Sequence, residues 1–481
     1  MKTNITFYGG ANEIGGNKIL LESADAKFLL DFGMSFSKFG KFYAEFLQPR
    51  ASAGLQDYLD LGILPRVEGL YRHDLLKTTD LKPAEPAVAG VLVSHPHIDH
   101  VGAIPFLDPR IPIFSSPLAR KLLATYQETS QAGLSRELLT YKPKNLGQYT
   151  PSKRGEEDPE RPWQDIASFK EVECKPFEVD HSTLGAAGFI LHADEGTVAY
   201  TGDIRFHGWR GAKGRAFVET VAEEEVDTLL IEGTQVGPEN PEEEAVVRMM
   251  GGNPGHKMAN EGEVLKRCAE LVKAHPKSPV FLDFMQRDFD RFRTFHQVAK
   301  ATGRKLVIPT KMAYYLDQLQ KEVGIPPRDE NLLIFVERQK SGSFDDRDYA
   351  AKWPEREIIH YPNAKRPDWL REHLGEVMVY LDFWSLQNLI DLKPRGGLFI
   401  HSSSEPFTEE MAIDFARFKN WLDTFGLKYE YAHCSGHAGQ EEIFQAVREI
   451  EPKEVIPVHT LGFDLFRKKF ENVVVPREPK I

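Results

Sequence analysis

The run Ala87-Val-Ala-Gly-Val-Leu-Val93 empties directly into Ser94-His95-Pro96-His97-Ile98-Asp99-His100, and the reading of this stretch decides the fold. An unbroken apolar run of this length predicts a strand buried on both faces. Three of the chain's 16 histidines then fall within six positions. On an extended segment, His95 and His97 project to the same side and can face one metal ion. Asp99 and His100, just beyond, can turn toward a second ion nearby.

Two ions at close range need further donors, one of them a carboxylate able to bridge. Working outward, candidates stand at the ends of other predicted strands. His181 follows Phe177–Asp180, Asp203 closes Tyr200-Thr-Gly-Asp, and His459 ends Val455-Ile-Pro-Val-His. Taken singly, each reads as a satisfied histidine or a turn aspartate. Taken with the His95–His100 loop, they complete a dinuclear site.

Composition sets the frame. At 481 residues, 41% hydrophobic and 27% charged, the chain has the make-up of a globular protein of two to four domains and excludes collagen, coiled coil and disorder. Its net charge of −12 argues against a uniformly basic nucleic-acid surface but leaves room for a local basic groove. The three cysteines, Cys174, Cys268 and Cys434, form no CxxC pair, so a reducing cytoplasm is expected. Neither an export signal nor a membrane anchor is expected from MKTNITFYGG and the rest of the chain.

Short strands dominate the first half, and residues 36–86, rich in aromatic and charged residues and in prolines, read as an insertion over one face, a lid or an interface. From about residue 258, helices and strands alternate: Glu261–Ala274, Val280–Phe284, Arg287–Ala301, Lys305–Pro309, Val377–Leu381 and Gly397–His401. This is the pattern of a parallel α/β sheet. The strand Tyr429–His433, the helix Gln440–Ile450 and the strand Glu454–Pro457 read as a return to the first domain. The division expected is therefore 1–237, an inserted domain over 238–425, and a completion over 426–481.

The ordered set of Asp31 after a strand, the His95–His100 loop, His181, Asp203 and a C-terminal histidine resembles the metallo-β-lactamase superfamily. That resemblance implies an αββα sandwich with metals at one edge. Glu232 in LLIEGT, Ser435-Gly-His437-Ala and Pro457-Val-His459 resemble the extra motifs of its β-CASP branch, and GGANEIGGN at 9–17 resembles the start of RNase J-like chains. The resemblance implies His95, His97 and His181 on one metal, Asp99, His100 and His459 on the other, and Asp203 between them. It further implies Asp31 accepting a hydrogen bond from a ligand histidine, and Glu232 paired with His437 near a scissile phosphate. The implied activity is hydrolysis of single-stranded RNA by a hydroxide activated by two divalent ions, Zn²⁺ or alternatively Mn²⁺. It implies 5′-exonuclease action with endonuclease action open, and leaves a homodimer open. Where RNase J-like chains commonly continue with Gly-Glu after the last histidine, this one has Thr-Leu-Gly-Phe.

Substrate contacts are read from three places. Ser402, Ser403 and Ser404 follow a strand, where hydroxyls and backbone amides can cradle a phosphate; Ser435 belongs to the β-CASP motif; and Arg287 and Arg291, one helical turn apart, can share a face toward the substrate. Phe289, Phe292 and Phe295 recur at helical spacing and read as core. Rival readings are a DNA nuclease of the same branch, a small-molecule hydrolase acting on a lactone, ester or cyclic phosphodiester, and a catalytically silent scaffold that would have lost ligands.

Overall fold

The computed structural model describes residues 3–24, 26–44, 46–144, 158–193, 196–237, 258–338, 342–343, 345–350, 354–404 and 409–476. It divides into two units, Met1–Phe206 with Arg210–Pro238 and His437–Ile481, and His207–Trp209 with Glu239–Gly436.

The first unit is an αββα sandwich. One sheet has six strands in the order Asn4–Gly9, Lys18–Glu22, Lys27–Leu30, Val91–Leu92, Ile113–Ser115 and Trp163–Asp165. The other has five, in the order Glu454–Val458, Val226–Glu232, Gly196–Tyr200, Ala187–Ala193 and Glu173–Glu178. Alternation along each strand divides the side chains between two cores. Ile19, Leu21, Phe28, Leu30, Leu92, Tyr200, Leu230 and Val458 pack between the sheets. Leu20, Leu29, Val91 and Ile113 face outward on the first sheet, and Ala199, Leu229, Ile231 and Val455 on the second.

Residues 36–86 are not a covering added over a finished domain. Leu55, Leu59, Leu64, Leu70, Tyr71 and Leu75 are fully buried against the outward face of the six-stranded sheet, so the segment supplies part of that core. Its apolar residues are spaced irregularly among turns and prolines, which hides their common face from a periodicity reading.

Register explains where the site lies. Leu29 and Leu30 pair in parallel with Val91 and Leu92, so Asp31 and the Ser94–His100 loop leave the sheet side by side. In the other sheet Leu230 pairs with Tyr200 and Glu232 with Val458. Asp203, Glu232 and His459 therefore emerge from one edge.

The second unit is a seven-stranded, wholly parallel sheet in the order Ala364–Lys365, Leu332–Phe335, Lys305–Pro309, Val377–Tyr380, Val280–Asp283, Gly397–His401 and Leu427–Tyr431. The last strand, expected in the returning first domain, pairs over its whole length with Gly397–His401. The second unit consequently extends to Gly436 rather than ending near 425. Phe289, Phe292 and Phe295 are buried in it.

Candidate metal centre

Backbone conformation at this edge is held under strain. Asp31 and His459 both adopt left-handed φ, 56° and 54°, a conformation that costs a residue with a Cβ on the order of 1–3 kcal/mol. His459 is kept there by its own N–H, which donates to the carbonyl of Gly10 at 2.8 Å. Gly202, with φ 53°, lets the chain turn into Asp203, since a Cβ there would lie 2.8 Å from that of Ser94. The Gly9–Asn17 stretch is thus a frame for the ligands: Asn17 N–H donates to the carbonyl of Asp99 at 3.0 Å.

The expected donors converge on Asp203. Its Oδ2 lies 3.3 Å from His100 Nε2, 3.5 Å from His95 Nε2, 3.7 Å from His459 Nε2 and 3.8 Å from His181 Nε2. His97 Nδ1 stands 3.1 Å from His95 Nε2 and 3.0 Å from His181 Nε2, and Asp99 Oδ2 is 3.0 Å from His459 Nε2. Two nitrogen or oxygen atoms on one tetrahedral ion at ~2.1 Å are ~3.4 Å apart, so these spacings are those of ligand edges. Two sets result, His95, His97, His181 and Asp203, and Asp99, His100, Asp203 and His459. Among the described residues, buried Asp203 Oδ1 and His100 Nε2 have no hydrogen-bond partner; a buried polar atom is rarely left so, and a cation held by the two sets would satisfy both. The residues present fit two divalent ions.

Which imidazole nitrogen faces the centre is fixed from behind. Asp31 Oδ2 accepts from His100 Nδ1 at 2.8 Å, Ser94 Oγ lies 3.0 Å from His95 Nδ1, and Thr234 Oγ1 lies 2.8 Å from His459 Nδ1. Each therefore presents Nε2 inward. Asp31 is itself held by the Ser94 backbone N–H at 2.7 Å, the Ser94 hydroxyl at 2.8 Å and the Tyr200 hydroxyl at 2.7 Å. Sequence reasoning passed over Ser94, Tyr200 and Thr234; the position of Ser94 immediately before His95 was the one available signal.

Electrostatics separate the two halves. Burial, and then neighbouring imidazoles, push His95 and His181 well below the usual histidine range, leaving neutral rings with available lone pairs. Burial alone would raise Asp203, but His459, His100 and His95 hold it well below the carboxylate range. Beside the metal ligands, His437 Nδ1 lies 3.0 and 3.1 Å from the two oxygens of Glu232. Burial opposes charge on His437, yet Glu232 carries it up to about 9. Glu232 is fixed in turn by the N–H groups of Ile204 at 2.8 Å and Thr234 at 3.1 Å.

Residues 70–275 match a β-lactamase superfamily domain, and residues 427–472 match a Zn-dependent metallo-hydrolase RNA specificity domain. The chain is 23% identical over 470 residues to a ribonuclease J of Helicobacter pylori, covering 95% of this chain and 55% of the relative. It is 21% identical to a ribonuclease J of Methanocaldococcus jannaschii, covering 95% of this chain and 91% of that one. Together these matches support a metallo-β-lactamase, β-CASP, RNase J-like protein. A crystal structure of a protein of unknown function from Enterococcus faecalis V583 shares this fold, with a TM-score of 0.72 at 21% identity, covering 100% of this chain and 99% of that one. The chain spans just over half the length of the Helicobacter pylori relatives it matches.

The residues expected at the substrate part company. Arg291 is fully buried in the second unit and bound to Glu261, so it presents nothing to a substrate. Nor does it share a helical face with Arg287. The helix is Phe289–Thr302, capped by Asp288, whose Oδ1 accepts the Arg291 N–H at 3.0 Å; half-buried Arg287 precedes the cap. Ser402 is also withdrawn: it is buried, its hydroxyl donating to the Ala432 carbonyl and accepting from Arg291 Nη1. Ser403 is half-buried and Ser404 exposed, both on the loop leaving Gly397–His401. Ser435 is half-buried in the second unit, its carbonyl 2.8 Å from His207 Nε2.

Proposed function

We propose that this protein is a metal-dependent ribonuclease that hydrolyses phosphodiester bonds of single-stranded RNA, in the manner of ribonuclease J, with 5′-exonuclease action and, alternatively, endonuclease action. The observation that carries the reading is the Glu232–His437 pair beside the metal ligands: His437 Nδ1 is 3.8 Å from Asp203 Oδ2. A proton donor is thus set next to a donor cluster that fits two cations. The match of residues 427–472 to an RNA specificity domain, which includes Ser435, His437 and His459, favours RNA as the polymer.

Two divalent ions bound by these donors would supply an acidified water and the positive charge that a phosphorane-like transition state needs. With five histidines and two aspartates the donor set suits Zn²⁺, with Mn²⁺ as the alternative. Asp203 spans the two ligand sets, and Asp31, Ser94 and Thr234 hold His100, His95 and His459 in the tautomer that points Nε2 inward. His437, charged at neutral pH and turned by Glu232 through Nδ1, delivers a proton from Nε2 to the leaving 3′-oxygen. Ser403 and Ser404 hold phosphate oxygens with their hydroxyls.

The test is a gel assay with purified protein, Zn²⁺ or Mn²⁺, and single-stranded RNA and DNA of one sequence, labelled separately at the 5′-end and internally, with Asp203→Ala as control. Labelled mononucleotide released from 5′-monophosphate RNA, and absent in the variant, is the expected result. Discrete longer fragments would make it an endonuclease, and cleavage of DNA alone would move the substrate. If neither polymer is cut with either metal, the nuclease reading fails.

A further inference from the structure

The fully buried guanidinium of Arg291 lies where two loops of the second unit meet, just beyond the last sheet hydrogen bond between them, Ala432 N–H to the His401 carbonyl at 3.0 Å. One is the serine loop that follows Gly397–His401. The other is residues 432–436, which follow Leu427–Tyr431 and lead by one peptide bond to His437. Arg291 Nη1 donates to the carbonyl and to the hydroxyl oxygen of Ser402, each at 2.7 Å, and lies 2.9 Å from His433 Nδ1. Its Nη2 donates to the carbonyl of Cys434 at 3.2 Å. Glu261 takes the remaining side of the fork, at 3.2 and 3.1 Å from Nε and 2.9 Å from Nη2.

The second loop is gripped at four successive carbonyls. That of Ala432 accepts from the Ser402 hydroxyl, that of His433 from Met258 N–H at 2.9 Å, that of Cys434 from Arg291, and that of Ser435 faces His207 Nε2 at 2.8 Å. Two of the four anchors, Arg291 and the Ser402 it holds, depend on one side chain. A planar fork with donors on both edges can bridge a carboxylate and two loops at once, which a lysine ammonium cannot reproduce. A cheaper structural use of a buried arginine would be an ion pair alone; here three of its five N–H donors are spent on loops.

We propose that Arg291, oriented by Glu261, is a positioning residue that locks the Ser402–Ser404 loop to the 432–436 loop and so sets the conformation in which the serine loop holds phosphate. This rests on the ribonuclease reading above. Arg291 acts through the loops and touches no substrate, so its loss weakens binding of the polymer while leaving the metal ligands of the first unit in place.

The test uses the full chain with its metals. Removing Arg291 alone would strand the buried Glu261 charge. The informative variants are therefore Arg291→Lys, which keeps the charge but not the fork, and Arg291→Met combined with Glu261→Met, which removes both charges. Measured quantities are kcat and KM on a 5′-monophosphorylated RNA oligonucleotide, its affinity by fluorescence anisotropy, bound metal, and thermal unfolding. Expected is a rise in KM and Kd of at least about tenfold, with kcat within about threefold of wild type, metal content unchanged and a cooperative unfolding transition retained. Unchanged KM and Kd in folded variants would overturn the inference, as would parallel loss of kcat and metal, which marks a merely structural role. If the wild type cuts no RNA, the nuclease reading fails by itself. Anisotropy then decides this one, which stands if the variants bind the RNA more weakly and falls if they bind it equally or if the wild type does not bind.

Discussion

The protein contains two buried polar clusters that look alike in composition and differ in how completely they are satisfied. Around Arg291 the guanidinium is met by a carboxylate, two loop carbonyls, a hydroxyl and an imidazole. Around Asp203, four histidine nitrogens crowd one carboxylate oxygen while Asp203 Oδ1 and His100 Nε2 have no hydrogen-bond partner among the described residues. A buried network that closes on itself fixes a conformation; one with several donors at ligand spacing fits cations. The difference supports the proposed roles, positioning for the first and chemistry for the second, and five substitutions can break or sharpen it.

The largest effect is expected at the open cluster. Asp203→Ala removes the one carboxylate common to both ligand sets. Losing it should cost about 4 kcal/mol or more of transition-state stabilisation, a fall of about 10³-fold in cleavage. Bound metal, measured by elemental analysis of the dialysed protein, should drop from two equivalents to one or fewer. Retention of both ions with activity intact would refute the bridging role.

At the closed cluster the loss should be of stability. Glu261→Ala leaves the Arg291 charge buried and unpaired, and such a break costs about 3–5 kcal/mol. Denaturant unfolding should register this as a lower midpoint, with metal content unaltered. A change of less than about 1 kcal/mol would show that the ion pair is not what holds the loops.

The two clusters were also unequally legible in the sequence. His95, His97, Asp99, His100, His181, Asp203 and His459 could be picked out because each stands at the end of an apolar run, and strand ends are recognisable one at a time. Their supports could not. Tyr200 and Thr234 reach Asp31 and His459 only through strand register, which is a non-local property. Arg291 was read on the wrong face because the helix was begun at Arg287; Asp288, an N-cap residue type, marks the true start. The strand Leu427–Tyr431 looked like part of the returning domain, since nothing local in a strand names its neighbour, yet it pairs with Gly397–His401. Residues 36–86 hid their core face among prolines and turns, although Leu55, Leu64 and Leu75 are completely buried.

Between the extremes stands His437, which lies beside the open cluster but is itself satisfied by Glu232. Its folded value is raised from 6.5 to about 9, so a step that needs the protonated ring is supported below that pH and lost as pH rises through it. Glu232→Gln removes the charge that raises it. The alkaline limb of the kcat profile should then move down toward the usual ~6.5, and activity at pH 8 should fall by about 10- to 30-fold. An alkaline limb that stays in place would take the proton-donor role away from His437.

The smallest expected effect divides a single loop. Ser402 and Ser404 are two residues apart, yet one is buried and bonded on both sides while the other is exposed. Ser404→Ala should remove one hydrogen bond to a substrate phosphate, worth about 0.5–1.5 kcal/mol, and so raise KM by about 2- to 10-fold with the unfolding midpoint unchanged. Ser402→Ala should act in the opposite sense on the two readouts. It takes the hydroxyl donor from the Ala432 carbonyl and one of three acceptors from Arg291 Nη1, which lowers stability by about 1–3 kcal/mol. Its effect on KM should follow only as the loop loosens. If Ser402→Ala raised KM without touching stability, the hydroxyl would be a substrate contact after all, and the boundary drawn between the closed cluster and the substrate site would have to move one side chain outward.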